Sequence, residues 1–168
     1  MRAVIVGAGI GGLAAAVALR RVGIEVTVIE RAGEIREVGA GLSIWANAVK
    51  ALRELGVEEQ VVRLGSILDR TRTVSRAGSV VSEMALPQAG APSLCVHRGR
   101  LQRCLLEQLP ASCIRTGTRC TGYSGSAALL EDGSRCEGDL LIGADGIDSA
   151  IRAQLHGHDS PRFAGYTC

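Results

Sequence analysis

The chain has 168 residues, enough for one domain with a real core and short for two. Apolar residues make up 46% of it and charged residues 21%, proportions that exclude a disordered chain. Nineteen basic against 17 acidic side chains leave a net charge of +2 with no basic block, so charge gives no reason to expect nucleic acid or a membrane surface as a partner. The longest apolar stretches are cut by Gly or Arg well before the roughly 18 residues a spanning helix needs. Met1-Arg2 runs straight into a strand, which leaves no signal peptide and points to a cytoplasmic location. Six cysteines form no CxxC pair and show no metal spacing, so reduced, buried thiols are expected.

Ala3–Val6 is a β-branched run ending in glycine, the pattern of a buried parallel strand. From Gly11 to Val22 the spacing turns helical, with Leu13, Val17 and Ala18 on one face and Gly23 placed to close the helix. Val26–Ile29 reads as a second buried strand ending at Glu30. Strand, helix and strand in that order make a βαβ unit, whose common solution is a right-handed crossover with parallel pairing. A second amphipathic helix is expected over 44–55, with Trp45, Val49 and Leu52 at helical spacing and Gly56 at its end. Strands at 70–76 and 79–84 flank Ala77-Gly78 as an antiparallel pair, and 87–92 is a loop that returns the chain. These strands are expected in a different sheet from the first. A helix over 98–109 carries Leu101, Leu105 and Leu109 and stops at Pro110. Short strands at 113–116, 118–123 and 127–130 follow, with Asp132-Gly133 as a turn. A buried strand at 139–143 and a turn at Ala144-Asp145-Gly146 come next.

Gly7-Ala8-Gly9-Ile10-Gly11-Gly12 is a GxGxxG that follows a strand and opens a helix. In that setting Gly7 permits the tight turn, Gly9 lets the backbone approach a pyrophosphate, and Gly12 allows helix and strand to pack closely. The helix start adds N–H groups and the positive end of its dipole. Glu30, 18 residues beyond Gly12, can accept hydrogen bonds from ribose hydroxyls. The motif marks a dinucleotide site but suits NAD and FAD equally. A second segment, Asp139–Arg152, is a strand whose carboxyl end presents Asp145 on a turn that Gly146 can make, the place where open α/β sheets bind ligands. Asp145 is equally a plain turn former there.

Four segments in order carry a resemblance: GAGIGG with its glutamate, VGAGLSIWANAVKAL, HRGRLQRCLL and DLLIGADGIDSAIR. Over residues 3 to 152 the chain resembles the first portion of class A flavoprotein aromatic hydroxylases, of the salicylate and urate hydroxylase type. The resemblance implies an α/β fold: a Rossmann-like FAD-binding domain, with a parallel sheet carrying the βαβ unit, plus part of an antiparallel substrate-domain sheet, truncated relative to the family. The implied domains are 1–65, an FAD-binding βαβ portion; 66–97, strands of the substrate domain; 98–155, a return to the FAD-binding domain; and 156–168, the start of the remaining substrate-domain half.

The implied activity is that of an FAD-dependent monooxygenase. NAD(P)H reduces the flavin, O2 is activated as a flavin hydroperoxide, and a small aromatic or heteroaromatic substrate is hydroxylated. Residue by residue, Gly7, Gly9 and Gly12 would hold the FAD pyrophosphate, and Glu30 the adenosine ribose with Arg31 beside it. Ser43 would lie near the bound FAD, Arg98 would reach the flavin or its phosphate, and Cys120 would offer backbone groups to the adenine. Asp145 and Gly146 would form a second dinucleotide motif serving FAD and NAD(P)H. Read from the residues alone, Arg31 is equally a solvated cation and Ser43 a turn or cap residue, while a surface arginine is the lesser reading of Arg98. A helix start disfavours a cation that meets no anion. His156-Gly157-His158-Asp159 reads as a solvated loop, and no metal is expected.

Members of the family continue past the equivalent of residue 168, through the rest of the substrate sheet and a Gly-Asp motif. Catalytic residues are therefore not assigned within this chain. The alternative is a catalytically incomplete FAD-binding module that needs a partner chain, or a related flavin reductase or halogenase. The strands of 66–97 are expected to show an unpaired edge and an apolar face.

Overall fold

A computed structural model describes residues 1–36, 39–88, 90–158, 160 and 162–165. The chain opens with β1 (Arg2–Val6), α1 (Ile10–Arg21) and β2 (Glu25–Ile29). It continues through β3 (Gly41–Ile44), α2 (Ala46–Glu54), α3 (Glu58–Leu64), β4 (Ser66–Leu68), β5 (Arg70–Val74) and β6 (Val80–Ala85). Then come β7 (Ser93–His97), α4 (Arg98–Leu106), a short 3₁₀ turn at Ala111–Cys113 and β8 (Ile114–Arg115). The last elements are β9 (Cys120–Ser124), β10 (Ala127–Leu130), β11 (Arg135–Cys136), β12 (Leu140–Gly143) and α5 (Ala150–His156). By packing, the chain forms two compact units, Met1–Ile35 with Gln108–Cys168, and Arg36–Glu107.

The first unit is built on a parallel sheet in the order β12-β1-β2-β8. Ala3, Val4 and Ile5 of the central β1 have no exposed surface, because strands on both sides and layers on both faces enclose them. Side chains alternate along the strand, so Val4 and Val6 take one face and Ala3 and Ile5 the other. On the Val4 face, Ala128 and Leu130 of β10 and Cys136 of β11 complete a cluster with Ile29, so the antiparallel sheet β11-β10-β9 covers it. Helix α1 packs on β1 and β2 through Leu13, Ala16 and Val17. Ala18, expected on that face, is exposed, since it lies one residue beyond the buried i, i+3, i+4 set. Each fully buried Leu, Val or Ile stabilises the unit by about 1.5–3 kcal/mol.

The second unit centres on β7, flanked antiparallel by β3 and β4. Helices α2, α3 and α4 pack on it, burying Val49, Val61, Leu94, Val96, Leu101 and Leu105. The helix expected over 44–55 starts only at Ala46, because residues 41–44 pair with β7. Trp45 consequently precedes the first helical turn, half-exposed, rather than joining the buried stripe. The helix expected over 98–109 closes at Leu106, and Leu109 is buried outside it. Hairpin β5–β6 turns at Gly78 (φ +84°) where the sequence places it, and forms a sheet of its own. Every residue of the two strands is exposed. One face carries Glu83 between Arg70 (3.5 Å) and Arg72 (2.8 Å); the other carries Met84 opposite Thr71.

The five described cysteines are free thiols, and no helix among the described residues is long and apolar enough to cross a membrane. Ala89 of the expected return loop, Asp159 of the His156–Asp159 stretch and the terminal Tyr166-Thr167-Cys168 lie outside the described residues.

Candidate functional site

The glycine turn after β1 is fixed by close backbone approach. Gly7 takes φ +105°, and a Cβ there would stand 2.4 Å from the carbonyl oxygen of Ala144, on the turn after β12. A Cβ on Gly12 would stand 1.9 Å from the Gly7 carbonyl oxygen, so α1 can meet β1 at this distance only through glycine. Gly9 and Gly11 differ: nothing lies within 4 Å of a Cβ on either. Gly9 precedes the first turn of α1, which has no side-chain cap and no acidic residue in that turn. The backbone N–H groups of a helix start have no partner within the helix, and its dipole favours an anion. An open, side-chain-free approach to such a start fits a pyrophosphate.

Glu30, at the end of β2, is held by this same loop. Its Oε2 accepts from the Ala8 N–H at 2.8 Å and its Oε1 from the Ala32 N–H at 2.9 Å. The Glu30 backbone is pinned as well, its N–H donating to the Arg115 carbonyl at 2.9 Å and its carbonyl accepting from Thr118 N–H at 2.8 Å. A carboxylate offers about four acceptor positions, so two remain for hydroxyl groups of a ligand.

These elements line a cleft of about 120 Å³ within the first unit. It brings together Gly7, Glu30, Arg31, Cys120 and Asp145, all singled out by sequence, from four separate segments. Thr118, Arg119 and Asp148 also line it and were not singled out; Thr118 and Arg119 stand on a short connection whose local pattern carries no binding signal, and Asp148 lies in the segment singled out only at Asp145 and Gly146. A larger cleft of about 430 Å³ lies in the second unit, lined by α3 and α4, and none of the sequence-predicted site residues lines it. Volume and chemistry therefore point to different places. The glycine turn and the anchored carboxylate decide for the smaller one.

Asp145 has two duties in the structure. It lines the cleft, and its carboxylate also accepts from Ser149 Oγ at 2.5 Å and from Ile151 N–H at 3.3 Å. Ser149 Oγ accepts in turn from Arg152 N–H at 2.9 Å, capping α5. The Arg152 guanidinium donates to the carbonyls of Gly146 and Ile147, so the turn, with Gly146 at φ +86°, is braced from the helix it starts.

Cys120 is partly buried, and its thiol donates to the Gly122 carbonyl at 3.1 Å. Burial pushes the thiol above its ordinary range, and the nearby Asp145 charge adds to this. Cys104 in the second unit is raised for the same first reason. A thiol with a raised folded-state value stabilises the fold fully below the unfolded value, about 8.5, and loses that contribution as pH rises through the folded value. Both thiols are expected to react with iodoacetamide at pH 7.5 several-fold more slowly than in urea-unfolded chain. Equilibrium denaturation should show stability falling above about pH 8.5. Alkylation of the native protein at the unfolded rate would contradict this.

Ser43 and Arg98 belong to the second unit. Ser43 sits exposed on β3, opposite Cys95 of β7. Arg98 opens α4, and its N–H donates to the Ala40 carbonyl at 3.1 Å. Its side-chain stem passes Gly39 (φ +135°), where a Cβ would stand 3.1 Å from Arg98 Cδ.

The sequence matches the FAD binding domain family over residues 1–164. It is 42% identical over 171 aligned residues to aurachin C monooxygenase/isomerase of Stigmatella aurantiaca, covering 97% of this chain and 45% of that protein. It is 38% identical to the FAD-dependent urate hydroxylase of Klebsiella pneumoniae over 99% of this chain and 46% of the relative. In structure it is similar to 2-methyl-3-hydroxypyridine-5-carboxylic acid oxygenase, with TM-score 0.84 and 28% identity over 92% of this chain and 42% of that one. It is also similar to Klebsiella pneumoniae HpxO complexed with FAD and uric acid, with TM-score 0.80 and 34% identity over 92% and 41%. The chain thus spans under half the length of the relatives it matches. With the glycine turn, the anchored carboxylate and a match running over residues 1–164, the chain belongs to the FAD binding domain family, and FAD is its cofactor.

Proposed function

We propose that this chain is the flavin-binding part of an FAD-dependent monooxygenase that takes its electrons from NAD(P)H and hydroxylates a small aromatic or heteroaromatic compound. The observation that carries the reading is the cleft in which Glu30, bonded to Ala8 and Ala32, faces a glycine turn that leaves room for phosphate. Relatives that are monooxygenases and hydroxylases by name support the reaction class. Bound FAD supplies the redox chemistry and the activation of O2.

This chain's own residues bind and orient it. Gly7, Gly9 and Gly12 receive the pyrophosphate, Glu30 and Arg31 the adenosine ribose, and the backbone near Cys120 the adenine. Asp145 and Gly146 form the wall shared with the nicotinamide cofactor; Ser43 and Arg98 are assigned to the flavin. We assign residues 66–97 to the substrate domain. A second reading is that this chain is an FAD module that works with a further polypeptide supplying the substrate pocket. The exposure of the whole β5–β6 hairpin is consistent with it.

The test is the purified chain itself. A yellow protein that releases FAD, and whose absorbance bleaches under NADH or NADPH in the absence of oxygen, is the expected result. Neither reading expects the chain alone to hydroxylate a ring compound; hydroxylation restored by adding a separate polypeptide selects the second reading. A folded protein that binds NAD(P)H and takes up no flavin would sink both.

A further inference from the structure

We infer that Gln154 is a positioning residue for the cofactor cleft, acting by closing the free edge of β9. Strand β9 lies at the edge of the β11-β10-β9 sheet, so alternate N–H and C=O groups point away from it without a strand to receive them. At Tyr123 the amide of Gln154 takes that place. Its Oε1 accepts from Tyr123 N–H at 2.8 Å and its Nε2 donates to Tyr123 carbonyl at 2.8 Å. The pair reproduces the two-bond exchange a neighbouring strand would make. The neighbouring residue is shaped for it: a Cβ on Gly122 would stand 2.7 Å from Gln154 Oε1.

The clamp matters because of what it joins. Helix α5 starts from the Asp145–Ser149 cap, so its position sets the wall of the cleft made by Asp145 and Asp148. Strand β9 starts at Cys120, which lines the same cleft. No residue of α5 is fully buried, and Ile151, which packs against the core cluster, is itself only partly buried. Apolar packing holds the helix through half-buried side chains only, and the two bonds of Gln154 fix its distance from β9. Gln154 touches neither the cleft nor any ligand in it. It acts through these two lining segments, and the inference rests on the cleft being the adenosine site proposed above.

The experiment is a titration of the full chain with FAD and with ADP, which carries the adenosine and pyrophosphate alone. It compares the unaltered protein, Gln154→Ala, Gly122→Ala and the double variant, at a temperature where each is folded by circular dichroism. Gln154 is exposed, so its removal leaves the core intact. Gly122→Ala displaces the amide without removing it, and gives the same reading should Gln154→Ala fold poorly. Each single variant is expected to weaken ADP and FAD binding by about tenfold. The double variant should be no weaker than the worse single, since both remove one clamp. Binding by folded molecules is insensitive to a merely structural loss, so the dissociation constant separates positioning from stability. If Gln154→Ala binds ADP as the unaltered chain does while Glu30→Ala does not, the inference is wrong and the site stands. Multiplied losses in the double variant would also overturn it. If Glu30→Ala too leaves ADP binding unchanged, the cleft assignment fails and the inference falls with it.

Discussion

Gly12→Ala is expected to abolish FAD binding and to lower the melting temperature by about 10 °C, whereas Gly11→Ala leaves the fold as stable as before or slightly more so. The two glycines are adjacent in the same first turn of α1, and only their surroundings differ. The added methyl at Gly12 would lie 1.9 Å from the Gly7 carbonyl oxygen and 3.3 Å from Ala144 Cβ. Backbone on one side and a neighbouring turn on the other cannot yield, so α1 must move off β1. Overpacking of that kind costs about 3 kcal/mol, which in a chain of this size is about 10 °C. At Gly11 nothing lies within 4 Å, and an exposed helical Gly→Ala change gains about 0.5–1 kcal/mol from reduced chain entropy. Thermal denaturation of the two variants without flavin, followed by flavin titration, checks this. Equal melting temperatures would show that the turn is not held as described.

Glu30→Ala should weaken FAD binding on the order of 100-fold with a smaller effect on folding. The carboxylate supports two hydrogen bonds that shape the loop, to Ala8 and Ala32, and offers its remaining acceptor positions to the ribose. Removing it takes away the charged acceptors and releases both loop amides. Glu30→Gln is the sharper variant. Its oxygen can replace one acceptor, but its NH2 faces a second backbone N–H, donor against donor, and one loop bond is lost. An intermediate loss of affinity is therefore expected for Gln. Titration of flavin-free protein followed by flavin fluorescence reads all three proteins. FAD affinity unchanged in Glu30→Ala would remove the cleft from consideration, whatever the glycine variants do.

Several features follow from local pattern alone. The βαβ unit is one, since β-branched runs at 3–6 and 26–29 and an intervening helical period specify their own conformations. Glycine at 7 and 12 is another: the requirement for it arises within a few residues of chain, although Ala144 supplies part of the crowding. The hairpin turn at Ala77-Gly78 and the separation of its strands from the parallel sheet are also legible in this way. The FAD assignment needed more than the glycine motif, which serves NAD equally, and came from four segments in a fixed order.

What the sequence by itself determined, then, was the identity of the segments and the kind of ligand they receive. Only the tertiary structure decided which residues meet. Strand β3 and the start of α2 depend on pairing with β7, fifty residues away, so the helical spacing that includes Trp45 misleads at that boundary. Helix α3 is short, and its apolar stripe becomes visible only against β7 and α4. Asp145 read as a ligand or a turn residue, and its hydrogen bonds to Ser149 and Ile151 give it the work of holding a helix as well. Gln154 carried no signal at all, because an amide closing a strand edge is defined by the strand it reaches, 31 residues earlier. Period and glycine placement act over a few residues and are written locally; a wall, a clamp or a cleft exists only once distant backbone has been brought within hydrogen-bonding distance.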